Sequence, residues 1–103
     1  MTPIYNAKTL REVSTNARLA EYNRIKNDYI PDALLKVNKN NFEAADNGHN
    51  SSFCQFNLLC MGLDTDDAQD FFKIGLQSTL KELGFKTTVE ISNTKILNIT
   101  CTW

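Results

Sequence analysis

The sequence predicts an α+β fold: two N-terminal helices kinked apart at Pro31, a strand, a third helix and a C-terminal β-hairpin, together giving a three-stranded antiparallel sheet with the helices on one face. Three observations predict it. Apolar residues recur at steps of three and four up to residue 45, then alternate over 53–59 and again from residue 85. Pro31, Gly48, Gly62 and Gly84 punctuate the chain where one pattern gives way to the next. The 103 residues leave no composition break for a second domain, which would need roughly 50 residues of its own.

The first helix is expected over 7–28. Leu10, Val13, Ala17 and Ala20 make one apolar stripe, read as facing the core, and Asn6 is suited to cap the first turn. Pro31 disfavours helical geometry at Ile30 and belongs in the first turn of a second helix, which should run to about Ala45. Ala33, Leu34, Val37, Ala44 and Ala45 share a face of that helix, while Leu35 and Phe42 lie on another. Two apolar patches on one helix, in so short a chain, point to a partner subunit.

Asp46-Asn47-Gly48 ends the second helix. From Phe53 to Leu59 the pattern alternates, with Cys54, Phe56 and Leu58 on one side. Asp64-Thr65 opens the third helix, whose acidic first turn (Asp66, Asp67, then Asp70) suits the positive end of the helix dipole. Ala68, Phe72, Leu76, Leu80 and Leu83 are expected inside. Gly75 in mid-helix costs up to ~1 kcal/mol relative to alanine, which close approach by another element would explain. Phe85–Ile91, the turn Ser92-Asn93-Thr94 and Lys95–Trp103 make the hairpin, with Leu97, Ile99, Cys101 and Trp103 inward.

Charge and composition exclude several functions. Eleven basic against twelve acidic residues give a net charge of −1, unlike a duplex-DNA binder, whose affinity rests on neutralising phosphates. No apolar run approaches the ~20 residues of a membrane span, and the opening MTPIYNAKTL has no secretion-signal pattern. Cys54, Cys60 and Cys101 are odd in number and lack zinc spacing, so free thiols in a reducing, cytoplasmic compartment are expected. His49 beside Ser51 and Ser52 is not a nucleophile–base pair by sequence proximity alone. There is no phosphate-binding glycine loop. The chain therefore reads as a binder with neither metal nor cofactor, rather than as an enzyme.

The cations are concentrated at one end. Lys8, Arg11, Arg18, Arg24 and Lys26 face only Glu12 and Glu21 in residues 1–27. At ~100° per residue, Arg11, Thr15, Arg18 and Tyr22 fall within ~60° of one another on the first helix. Guanidiniums fork onto phosphate oxygens and a tyrosine face stacks on a nucleobase. Tyr5, Asn6 and Lys8 add an aromatic ring, an amide and a charge at the positive end of the helix dipole. The candidate ligand-binding residues are thus Tyr5, Asn6, Lys8, Arg11, Thr15, Arg18 and Tyr22. Leu19 lies off the core stripe, a candidate contact for another chain.

The layout resembles small bacteriophage α+β proteins that open on a T-A-x-E-A-R-like helix start, enter their first strand through a glycine–serine stretch and end on LG(F/Y)KV…IxIxW. The matching stretches here are Asn6-Ala7-Lys8-Thr9-Leu10-Arg11, Asn47-Gly48-His49-Asn50-Ser51, Leu83-Gly84-Phe85-Lys86 and Ile99-Thr100-Cys101-Thr102-Trp103. Such proteins include phage sponges that sequester the cyclic nucleotides of CBASS and Thoeris anti-phage defence. The resemblance implies a non-enzymatic homo-oligomer of the infected host's cytoplasm that holds a cyclic nucleotide such as 3′3′-cGAMP intact, with Arg11 the residue carried over by motif. The alternative is a phage-encoded inhibitor that docks on a host protein.

Overall fold

The computed structural model describes residues 4–103 and has the expected α+β architecture. Helix α1 spans Ala7–Asp28 and α2 spans Ile30–Asp46; strand β1 is Ser51–Asn57; α3 spans Asp66–Glu82; β2 is Lys86–Ile91 and β3 is Ile96–Thr102. The strands are antiparallel in the order β1-β3-β2, so the last strand is central. Cys54 stands opposite Ile99 in one pairing and Val89 opposite Ile99 in the other.

Each boundary has a local cause. The Asn6 side chain accepts from the Thr9 N–H at 2.8 Å, capping α1, and the Thr65 hydroxyl accepts from the Ala68 N–H at 3.1 Å, capping α3. The break between α1 and α2 falls at Tyr29, with φ −110°, one residue earlier than the Ile30 expected from Pro31. Pro31 lies in the first turn of α2, where its missing N–H has no intrahelical acceptor to lose. Gly84, at φ +93°, turns the chain from α3 into β2.

The core lies between the helices and one face of the sheet. Leu97, Ile99 and Cys101 of β3 and Cys54 and Phe56 of β1 meet Val37 of α2 and Phe72, Leu76 and Leu80 of α3, all buried. Phe56 and Phe72 meet edge-on with centroids 5.6 Å apart. Gly75 is buried where α2 crosses α3: a Cβ there would stand 3.3 Å from Ile30, which is the close approach that explains the glycine. Buried Asn41 accepts from the Ser52 hydroxyl, tying α2 to the start of β1. Buried Gln69 donates to the Leu63 carbonyl at 2.9 Å and fixes the turn before α3.

Three inward assignments are corrected. Leu83 is exposed, because the chain leaves the helix at Glu82 and turns away through Gly84. Trp103 is 42% exposed and leans edge-on against Phe85 at 6.2 Å instead of plugging the core. The largest correction is the stripe Leu10, Val13, Ala17 and Ala20, all of it exposed. The body meets α1 only from Ala17 onward, where Ile25 is its one buried residue. Residues 7–16 of α1 stand clear as an arm, and the molecule measures 67 × 28 × 19 Å. Its radius of gyration of 17.1 Å exceeds the ~13 Å of a compact chain of ~100 residues.

Candidate functional site

The arm exchanges the two faces assigned to α1. Arg18 and Tyr22 meet Phe71 of α3 and Ile25 is buried in the core, so the cationic edge runs in line with the face turned to the body. The apolar stripe points about 130° away from that direction, at ~100° per residue. The sequence placed both stripes correctly on the helix but could not say where the body ends.

The candidate residues fall into two groups. Lys8, Arg11 and Thr15 lie with Glu12 and Asn16 along one shallow groove of the free arm. Arg11 folds back so that its Nε donates to the Ala7 carbonyl at 3.4 Å. Among the described residues, no carboxylate lies within 4.0 Å of Arg11 or Lys8. Tyr5 is exposed just before the helix. The Asn6 oxygen is occupied by the cap, which leaves only the amide NH₂ for a ligand.

Arg18 and Tyr22 form the second group, at the junction with α3. The Arg18 guanidinium lies 6.0 Å from the centre of the Phe71 ring and 4.0 Å from an Asp67 oxygen. Both partners of that ion pair are 65% exposed, so it is a long, solvated contact worth little. Tyr22 is half-buried and packs edge-on against Phe71 at 5.7 Å. A hollow lined by Ala17, Arg18, Glu21, Thr65, Asp67 and Phe71 opens between the two helices there. Arg11 and Arg18 are seven residues apart, about 10 Å along the axis.

Charge differs between the two exposed helix starts. The first turn of α1 contains no acid, so the positive end of its dipole is not offset, and Lys8 and Arg11 add to it. The first turn of α3 carries Asp66 and Asp67. Further along α1, Arg24 grips Glu21 through two hydrogen bonds of 2.8 and 3.0 Å. That pairing holds the Glu21 carboxyl below its usual range and raises the Arg24 guanidinium, so Arg24 is committed and Arg11 is not.

The buried thiols are inert by position. Burial pushes Cys54 and Cys101 above the ordinary thiol range, while Cys60 is exposed in the turn after β1. Among the described residues no cluster of three metal-ligating side chains occurs, and no helix is long and apolar enough to cross a membrane. Compared with known protein families, with curated proteins and with solved structures, the chain matches none.

Proposed function

We propose that this chain is a bacteriophage immune-evasion protein that binds a cyclic nucleotide second messenger, such as 3′3′-cGAMP, and sequesters it without cleavage. The ligand's phosphates are held by Lys8, Arg11 and Arg18, with Thr15 and the Asn6 amide as further donors. Tyr5 and the outer edge of Tyr22 supply aromatic surface for a base. A single exposed helix encloses nothing, so the arm of a second copy closes the site, and the protein acts as a homo-oligomer in the host cytoplasm.

The observation that carries this reading is the arm itself. It presents unpaired cations on an unoffset helix start, with an uncovered apolar stripe on the far side of the same helix. A helical segment of about this length is marginal in water when nothing packs on it, so a functional state that covers it is favoured. The test is a thermal-shift panel of cyclic mono- and dinucleotides, followed by heat release and chromatography of the ligand. An increase in Tm with the intact nucleotide recovered supports the proposal. No shift across the panel at millimolar concentration rejects it.

A second reading rests on a different observation. Leu35 and Phe42 project from α2 at 69% and 70% exposure, an apolar pair that a docking surface for a host protein would use. Recovery of one host protein at one-to-one stoichiometry, lost on Phe42→Ala and indifferent to Arg11→Ala, favours that reading over nucleotide capture.

A further inference from the structure

The two edges of the sheet are treated differently. In β1–β3 the ladder runs through Leu58 N–H to the Lys95 carbonyl (3.1 Å) and Trp103 N–H to the Asn50 carbonyl (3.0 Å). With the register Phe56–Leu97 and Cys54–Ile99, the even-numbered residues of β1 bond to β3, and Phe53 and Gln55 turn their main-chain groups to the outer edge. Both outward carbonyls are taken by α2: Lys36 Nζ donates to Gln55 at 2.6 Å, and Asn40 Nδ2 donates to Phe53 at 3.3 Å. The β1 edge is closed to another strand.

The β2 edge, by contrast, is open. Ser92 N–H donates to the Ile96 carbonyl at 2.9 Å. With the register Glu90–Asn98 and Thr88–Thr100, the even-numbered residues of β2 bond to β3. Thr87, Val89 and Ile91 therefore direct N–H and C=O outward. Among the described residues, no turn, loop or side-chain hydrogen bond reaches these groups. The side chains of Lys86, Thr88 and Glu90 stand exposed on the sheet face away from the helices. A groove lined by exposed Ile74 and Lys81 and by half-buried Phe85 runs beside the start of this strand.

We propose that β2 pairs with β2 of a second copy about a two-fold axis, joining two three-stranded sheets into one of six strands. The strand is complementary to itself in one register. When Thr87 exchanges main-chain hydrogen bonds with Val89 of the partner subunit, Thr88 meets Thr88 of the partner subunit on the axis. Lys86 then stands opposite Glu90 of the partner subunit, twice over by symmetry. These are non-hydrogen-bonded positions, where cross-strand side chains lie closest and opposite charges or paired threonines favour pairing. Shifting the partner by two residues in either direction places Lys86 and Glu90 opposite uncharged residues and loses both ion pairs. Neither Lys86 nor Glu90 has an ion-pair partner among the described residues of its own chain. The interface does not depend on the nucleotide reading, since none of the α1 residues takes part.

Charge reversal tests the register. Lys86→Glu and Glu90→Lys each set like charges opposite one another at two places, and both positions are exposed, so the fold is retained. Each single variant raises the dissociation constant of the sheet-edge contact about tenfold, read by sedimentation equilibrium, and the double variant restores it. A second measurement does not depend on the strength of the contact. In a Cys60→Ser background, Thr88→Cys gives a disulfide-linked dimer on mild oxidation, because facing residues at ~4.5 Å between Cα atoms fall within disulfide range, whereas Phe53→Cys does not. Assembly mass unchanged across the charge variants, or no linked dimer from Thr88→Cys, overturns the proposal, as does a single-chain mass that binds an extended acidic peptide at this edge. If nucleotides fail to bind while the charge swap alters the mass, the sheet contact stands and only the ligand reading falls.

Discussion

Ile30 of α2 occupies the notch that Gly75 leaves in α3: a Cβ at position 75 would lie 3.3 Å from both Cγ1 and Cδ1 of Ile30. Alanine there gains up to ~1 kcal/mol of helix propensity, but Ile30 is buried and has little room to withdraw. Overpacking of this kind costs ~1–3 kcal/mol, so Gly75→Ala is expected to lower stability by roughly 1 kcal/mol net. Ile30→Val removes one of the two crowded atoms. Combined with Gly75→Ala, it should destabilise less than the two single effects added together. Urea unfolding of the four proteins measures this coupling; strict additivity would show that the notch does not set the helix crossing.

The same crossing shows what was legible in the sequence. Gly75 inside a periodic helix called for a close neighbour, and the caps at Asn6 and Thr65, the turn at Gly84 and the alternation of β3 all fall where residue chemistry put them. Periodicity is local, so it locates an element and its faces. Which face is covered depends on where the body lies, and α1 outruns the body. That is why Leu10 and Val13, apolar and correctly spaced, are 50% and 58% exposed. The candidate site was legible as a stripe but not as two groups, because the split at Arg18 is made by Phe71 and Asp67 of α3, some fifty residues downstream.

The exposed stripe gives a second prediction. Were Leu10 and Val13 core residues, truncation to alanine would cost ~2–5 kcal/mol for the leucine alone. On the free arm, Leu10→Ala and Val13→Ala should change the stability of the dilute protein by less than about 0.5 kcal/mol. If a second copy covers the arm, the same variants weaken assembly at high concentration while leaving the dilute unfolding curve in place. Unfolding followed at two protein concentrations separates these effects.

Phe71 is what fastens α1 to α3. It meets Tyr22 edge-on and lies beneath the Arg18 guanidinium. A double-mutant cycle of Tyr22→Leu and Phe71→Leu should return a coupling of ~0.5–1.5 kcal/mol. Phe71→Leu should also free Arg18, and a ligand held by the arm would then bind with altered affinity although Phe71 touches only the junction. Zero coupling would mean that the Tyr22–Phe71 contact does not help to fasten the two helices.

The thiols give a prediction in pH. Cys54 and Cys101 are raised by burial, so the folded state favours the neutral thiol more than the unfolded state does. The sign follows: their contribution is complete below the unfolded thiol range and is lost as pH rises through the folded values. Stability should therefore be level through neutrality and fall above about pH 9, with a shallower fall in Cys54→Ala. In the native protein at pH 8 a thiol reagent should label Cys60 promptly, and all three cysteines only in denaturant. Rapid native labelling of Cys101 would show that the sheet opens locally.

Lys36 and Asn40 give the last prediction, because they guard the edge that β1 would otherwise expose. Lys36 Nζ bonds the Gln55 carbonyl and lies 4.8 Å from the centre of the Phe56 ring, so one side chain covers both the main-chain acceptor and an aromatic face. Replacing it by methionine keeps the stem but removes the donor. The loss in stability should be modest, about 1 kcal/mol, because the freed carbonyl can turn to water. The larger effect is on association: with Asn40→Ala added, the outward carbonyls of Phe53 and Gln55 are both unguarded, and exposed Phe53 offers apolar surface beside them. An edge of that kind recruits strands from other molecules. Lys36→Met/Asn40→Ala should thus aggregate at concentrations where the parent chain stays in small assemblies, and static light scattering should show the difference before any change in circular dichroism. If the double variant scatters no more than the parent, these two side chains serve only to pack α2, and the contrast between the two sheet edges loses its functional meaning.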